Sequence, residues 1–441
     1  MGDSLLRPLA ALFLLSAPLW AQFAGPAILS RGEAPTTIDR AQITFRPFVE
    51  ARASYDTALS GVAVTPAGEI AHTSSLGTGL VWGVSGAHSW RHTFAGVQYR
   101  GSINHYARQT YYDNVDQSLL FSVVHQFSPH VTLSLSESIG SYSRDFGLGG
   151  LAQTIAFDPA TTSVPTTDFF DNRTTYYATQ ANLIYNRTRR LSFAMSGSFS
   201  IVGRRSAALL GSMAEMAMGD VQYRLTRRST IGAAYEYTHF DFGHAVASTD
   251  AHTVIGSFSL ALSRRSEFSI YGGVSRVETK YIRTEPVDPV IGALLGITGA
   301  QQIVHSLGNI STAGARISRA FFRGVAYANS GYRITPGNGL FLTSYSIYSN
   351  AGYNLTRGRH WSFGAYVSYD RSESVANYQG DYSTAAASFR AARSLGRLMH
   401  FAATYSLRRY DSPTFSGYQR LVQQAGVGIA FAPGDVPLRM W

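Results

Sequence analysis

From Ile43 onward the chain alternates apolar and polar residues with a period of two. Leu191, Phe193, Met195, Gly197, Phe199 and Ile201 share one side of an extended segment, and Ser192, Ala194, Ser196, Ser198 and Ser200 share the other. That is the pattern of a β-strand with one apolar face. The same period runs through Thr253 to Leu262, Trp361 to Asp370, Leu76 to Trp90 and Leu119 to Phe127. Short polar turns punctuate these segments at Arg189-Arg190, Arg227-Arg228, Arg264-Arg265, Arg357-Gly358-Arg359 and Leu395-Gly396-Arg397. Weaker members of the series stand at Arg91-His92, at Pro129-His130 and around Arg319 to Arg323. The intervening connections are longer and variable, notably Asp145 to Thr174 and Tyr281 to Val304.

A soluble sandwich would also alternate. Short turns on one rim and long loops on the other predict instead an all-β fold, a transmembrane antiparallel up-and-down β-barrel. About 18 strands fit between residues 43 and 431, with 16 as the alternative, because bacterial single-chain barrels favour even numbers. The first strand is expected over Ile43 to Tyr55, with Phe45, Val49, Ala51 and Ala53 towards lipid and Arg46, Glu50 and Arg52 inward. The last is expected over Leu421 to Phe431. Trp90, Trp361, Tyr177, Tyr185, Tyr223, Tyr345 and Tyr405 fall where interfacial aromatic girdles belong. Ahead of the barrel, Arg7 and an apolar stretch from Leu9 to Trp20 precede Ala21, the layout of a cleaved signal peptide over residues 1–21. Residues 22–42 read as a flexible periplasmic lead-in and residues 432–441 as a short periplasmic tail, where Pro433 and Pro437 disfavour a strand.

Composition narrows the chemistry. The chain has no cysteine and only 15% charged residues against 13% aromatic, which excludes disulfide scaffolds, thiol nucleophiles and cysteine-ligated metals. The net charge of +10 comes almost wholly from arginine, Lys280 being the single lysine. Many of these arginines lie in the short turns, which suits a solvated rim beside anionic headgroups and not nucleic acid, which needs basic residues gathered with stacking aromatics. Inward positions that carry charge, and are expected to line a pore, are Arg52, Arg100, Arg224 and Arg408 with Glu50, Asp220, Glu236 and Asp370. Their signs nearly balance, so the overall charge does not predict anion selectivity.

Gln424, Gly426, Ile429 and Phe431 resemble the terminal assembly signal of bacterial outer-membrane β-barrel proteins: a polar residue, then glycine, then two hydrophobic positions ending in an aromatic. The resemblance implies reading by the barrel-assembly machinery, residence in the outer membrane of a Gram-negative cell among its lipids and lipopolysaccharide, and the activity of a porin-like channel for small hydrophilic solutes. Trp441 is a second candidate for the terminal aromatic. The connection from Asp145 to Thr174 is similar in size and position to the inward-folded third loop of general porins, which implies a constriction lined by Asp158, Asp168 and Asp171 opposite Arg52 and Arg100; a solvated surface loop is the competing reading. Arg46-Pro47-Phe48 and Tyr55-Asp56 resemble barrels found with exopolysaccharide systems, an accessory role in export being the alternative.

No GxSxG, HExxH or phosphate-cradling motif is present, and no catalytic, cofactor or metal site is expected. His239, His244 and His252 with Asp241 and Asp250 cluster around one expected loop without standard ligand spacing, the basis for a less favoured hydrolase reading. Asp113, Asn114 and Asp116 lack the glycine and distal glutamate of a calcium loop. The apolar run Val290, Ile291, Leu294, Leu295 and Ile297 is expected to pack within its loop, to enter the lumen or to latch a neighbouring copy; a homo-oligomer is compatible with the sequence.

Overall fold

A computed structural model describes residues 43–64, 70–108, 113–142, 173–205, 209–243, 247–286, 299–322, 324–335, 342–357, 361–375, 381–396, 398–412, 420–432 and 436–438. The signal-peptide and lead-in expectations fall outside these residues. The chain forms β1 (Ile43–Val64), β2 (Ile70–Ser89), β3 (Thr93–Tyr106), β4 (Asn114–Ser128), β5 (Val131–Tyr142), β6 (Thr174–Asn186), β7 (Leu191–Arg204), β8 (Ser212–Arg224) and β9 (Ser229–Asp241). It continues through β10 (Ala247–Ser263), β11 (Ser266–Pro286), β12 (Gly299–Phe321), β13 (Gly324–Thr335), β14 (Ser344–Arg357), β15 (Trp361–Ser374), β16 (Asp381–Ser394), β17 (Met399–Asp411), β18 (Arg420–Phe431) and β19 (Val436–Leu438).

Each of β2 to β18 pairs antiparallel with its predecessor, and β18 returns to β1, Val49 to Asp56 lying opposite Phe431 to Gln424. The result is a closed barrel of 18 strands. Closure leaves no sheet edge for lipid to meet, where an unsatisfied backbone group costs several kcal/mol. The seam runs on past Phe431: β19 pairs with Ile43 to Phe45. Seven residues separate Phe431 from Leu438 while six separate Val49 from Ile43, so the two pairings differ in register by one residue. The expectation that Pro433 and Pro437 spoil a strand here therefore meets a three-residue one. Proline is admissible in an edge segment of this kind because no neighbour on its far side needs its missing N–H.

The two faces differ as the alternation requires. Met195, Val254, Leu76 and Ile139 on the outer face are more than half exposed, whereas Ser196, Thr253, Ser75 and Ser138 on the inner face are buried. An apolar surface that encircles the molecule is solvated by lipid, since water would not tolerate a patch of this size. Aromatics mark both margins of the band. Tyr177 and Tyr185, Tyr345 and Tyr353, and Trp361 and Tyr369 share a strand and the outer face, each pair eight residues apart. At a rise of about 3.3 Å per residue and a tilt of about 40°, that spacing corresponds to a height of about 20 Å.

The strands outrun lipid thickness on one side. β1 continues nine residues beyond the expected Tyr55, through register shifts after Asp56 and Ser60. β11 and β12 stay paired from Tyr281 opposite Val304 to Pro286 opposite Gly299, so both ends of the expected 281–304 loop, half of its residues, are hairpin. Above the membrane two extended chains satisfy their backbone groups against each other instead of relying on solvent. Val290, Ile291, Leu294, Leu295 and Ile297 fall outside the described residues. β12 meets β13 only over Ala313 to Phe321, which leaves the upper parts of β9 to β12 standing as a leaf above the β13 wall.

Candidate functional site

The barrel interior is the candidate site, and its wall is built by register. Arg52 lies between Gly428 of β18 and Gly79 of β2, and Gly79 in turn lies beside Asn104 of β3. A guanidine nitrogen of Arg52 donates to the side-chain oxygen of Asn104. A Cβ at Gly428 would sit 2.6 Å from Oε1 of Glu50, and one at Gly79 would sit 3.0 Å from Nε of Arg52. These two glycines therefore make room for a polar cluster of Glu50, Arg52 and Asn104 on the β1 to β3 wall.

Glycine and tyrosine cooperate in the same way across the barrel. Tyr271, Gly314, Gly331 and Tyr348 occupy one row over β11 to β14. The two adjacent glycines leave a trough into which both rings lean, and their hydroxyls meet at 3.1 Å. A Cβ on Gly331 would come within 2.8 Å of the Tyr348 hydroxyl and 2.9 Å of that of Tyr271. Asp370 is the next residue of the row beyond Tyr348 and accepts a hydrogen bond from the Ser372 hydroxyl at 3.2 Å. These inward tyrosines were missed in the sequence, where tyrosine was read as a girdle residue. Period-two bookkeeping from strand to strand would have found them.

The other charges of interest are dispersed. Asp220 is bonded by Gln222 at 2.9 Å and Glu236 by Thr238 at 3.1 Å, both on the inner faces of neighbouring β8 and β9. Arg224 ends β8 at the short rim, and Arg408 lies on β17 opposite Val422. Asp56, Asp116, Arg316 and Arg390 have the same inward parity and extend the mixed-sign lining; carrying the alternation to the ends of the strands would have revealed them. Asp158, Asp168 and Asp171 lie outside the described residues. The two residues that precede β14 pack on the inner face of β9 to β11. Leu342, just before β14, packs on Phe240, Phe242, Ala247 and Tyr281. Thr343 meets Thr249 of β10, hydroxyl to hydroxyl, at 2.6 Å, and Thr249 also donates to Thr279 at 3.1 Å. The inner side of the β9 to β12 leaf is thereby closed over the end of the β13–β14 connection.

The histidine group is not a loop cluster. His239 and Asp241 belong to β9 and Asp250 and His252 to β10, on the outer face; His244 is outside the described residues. His239 Nδ1 is 2.9 Å from Asp250, to which the Tyr237 hydroxyl donates at 2.7 Å. Asp113 is engaged by His105 at 2.6 Å and by the Tyr106 N–H at 2.8 Å. Among the described residues no three His, Cys, Asp or Glu side chains are grouped to hold a metal ion. In the terminal strand Gln424 and Gly426 point inward and Ile429 and Phe431 outward, and the Ser406 hydroxyl donates to Gln424 at 3.4 Å.

No family model and no curated protein matches the chain. Among solved structures, OpdQ from Pseudomonas aeruginosa aligns over 90% of this chain and 98% of its own at 9% identity, with a TM-score of 0.40. The ferric-catecholate import receptor Fiu from E. coli aligns over 87% and 81% at 10% identity, with a TM-score of 0.43. OccK2 (OpdF) from Pseudomonas aeruginosa, solved in complex with glucuronate, aligns over 89% and 98% at 10% identity, with a TM-score of 0.40. Likenesses this loose carry no solute or chemistry across, and those must be read from the chain itself.

Proposed function

We propose that this protein is a porin-like channel of the bacterial outer membrane through which small hydrophilic solutes diffuse. The observation that carries the reading is the division of one closed 18-stranded wall into a lipid-facing apolar surface and an inner surface of serine, threonine, asparagine and charge. Barrels of 16–18 strands are wide enough to leave an aqueous channel. Arg52, Arg100, Arg224 and Arg408 would line it with Glu50, Asp220, Glu236 and Asp370. Charges so evenly mixed favour weak ion selectivity.

The channel would be narrowed at its outer mouth by the Leu342-Thr343 segment against the β9 to β11 leaf. The acidic connection carrying Asp158, Asp168 and Asp171 is a second element of the same proposal. In biogenesis Gln424, Gly426, Ile429 and Phe431 would serve as the assembly signal. Purified protein in planar bilayers should conduct without a partner and with near-ohmic current. A barrel that stays closed to ions overturns the reading, and unchanged selectivity on combining Asp168→Asn with Asp171→Asn removes the acidic loop from the constriction.

A further inference from the structure

Three consecutive short-rim turns repeat one chemistry. Thr188-Arg189-Arg190, Thr226-Arg227-Arg228 and Ser263-Arg264-Arg265 connect β6 to β7, β8 to β9 and β10 to β11. In each, the first hydroxyl accepts a hydrogen bond from the N–H of the second arginine at 3.1 Å. The Thr188 and Thr226 hydroxyls also accept from the following N–H at 3.0 Å. Local hydroxyls thus satisfy these turn N–H groups, and the recognition chemistry left to the rim is guanidinium. All six arginines are exposed, as is Arg187. Among the described residues none of them pairs with a carboxylate.

Spacing and surroundings select the partner. Successive turns are two strands apart, about 10 Å across the sheet. On the outer face beside the turns lie Tyr185 stacked on Phe193, with ring centroids 6.3 Å apart, and the exposed Tyr223, Ile231 and Leu262. This apolar girdle sets the acyl boundary, so the guanidinium pairs stand at headgroup level. A soluble acidic protein would gain nothing from the girdle, whereas a phospholipid uses both. We propose that Arg189-Arg190, Arg227-Arg228 and Arg264-Arg265 form an arc that retains anionic phospholipids through guanidinium–phosphate forks in the leaflet meeting the short rim. The assignment does not depend on whether the lumen conducts.

The test is native mass spectrometry of the folded, detergent-purified full chain titrated with phosphatidylglycerol or phosphatidylcholine. Wild-type protein should retain the anionic lipid with roughly tenfold preference, the scale expected of several juxtamembrane arginines. Changing all six arginines to glutamine should abolish the preference, and changing them to lysine should preserve part of it. If the glutamine variant does not fold, Arg227→Gln with Arg228→Gln should lower the number of retained anionic lipids by about a third, one turn of three. Equal retention of the two lipids by wild type, or an undiminished preference without the arginines, overturns the proposal. So does ready displacement of the lipid by inorganic phosphate or by an aspartate-rich peptide, which would make the arc a general anion site.

Discussion

The two rims of the barrel solve the problem of exposed charge in opposite ways. On the short rim the paired arginines are held by their own turns and find no carboxylate among the described residues. On the long rim, charges answer one another: Lys280 lies 3.3 Å from Glu278, His239 2.9 Å from Asp250, and Arg371 2.9 and 3.1 Å from Glu373 and Asp381. The short connections fold on their own hydroxyls and reach no further than the adjacent strand, where the carbonyls of Arg190, Arg228 and Arg265 accept from the N–H groups of Arg224, Ala261 and Ala320, so their geometry is close to local. The long side has strands that project beyond lipid, and Leu342 and Thr343 pack there on strands distant in the chain, so its geometry is tertiary. The outer face of the leaf shows where lipid ends. A row of Tyr235, Val254 and Val274 gives way to Tyr237, His252 and Arg276, and then to His239, Asp250 and Glu278.

The largest change should follow from reversing the short rim. Arg189, Arg190, Arg227, Arg228, Arg264 and Arg265 changed together to glutamate should slow folding into vesicles containing phosphatidylglycerol by at least about tenfold, followed by the heat-dependent gel shift of the folded barrel. Equal rates for variant and wild type would mean that the two rims do not differ in their electrostatic role.

On the long rim the corresponding break is in packing. Phe240→Ala and Phe242→Ala each remove a buried ring from the cluster that seats Leu342, with an expected loss of about 3 kcal/mol each. Urea titration in bilayers, read by tryptophan fluorescence, measures the loss, and single-channel conductance should rise as the mouth widens. Unaltered conductance would show that Leu342 and Thr343 do not narrow the path.

Smaller effects sharpen the contrast between local and tertiary control. Thr188→Ala and Thr226→Ala delete the hydroxyls that bridge two N–H groups, and each should cost about 1 kcal/mol in the same titration, without altering conductance. Least of all, Lys280→Ala should change stability by under about 0.5 kcal/mol, because an exposed ion pair is screened and weak. A loss larger than that of the threonine variants would place the leaf's charges among its structural contacts.

Strand alternation was legible because each strand has one lipid face and one wet face, so every second residue reports its side. Tyr185, Tyr223 and Tyr405 followed that rule to the outer face, and Trp90 and Trp361 followed it to the short rim. The hydroxyl–arginine–arginine turns were visible as arginine turns, while the capping role of Thr188, Thr226 and Ser263 needed hydrogen-bond geometry to appear. Tyr271 and Tyr348 were not legible as partners, since 77 residues and two intervening strands separate them. Their meeting depends on Gly314 and Gly331 falling in one register row.

By itself the sequence determined a membrane-spanning antiparallel barrel, the membrane-level course of its strands, its short-turn rim and the inward parity of its charges, because period two and turn chemistry act over a few neighbouring residues. Only the tertiary structure decided that β18 closes on β1 with β19 as an extension one residue out of register, that β9 to β12 rise as a leaf, and that the residues before β14 reach Thr249. Those outcomes rest on register and on contacts between segments far apart in the chain, where one residue of slip turns every side chain to the other face.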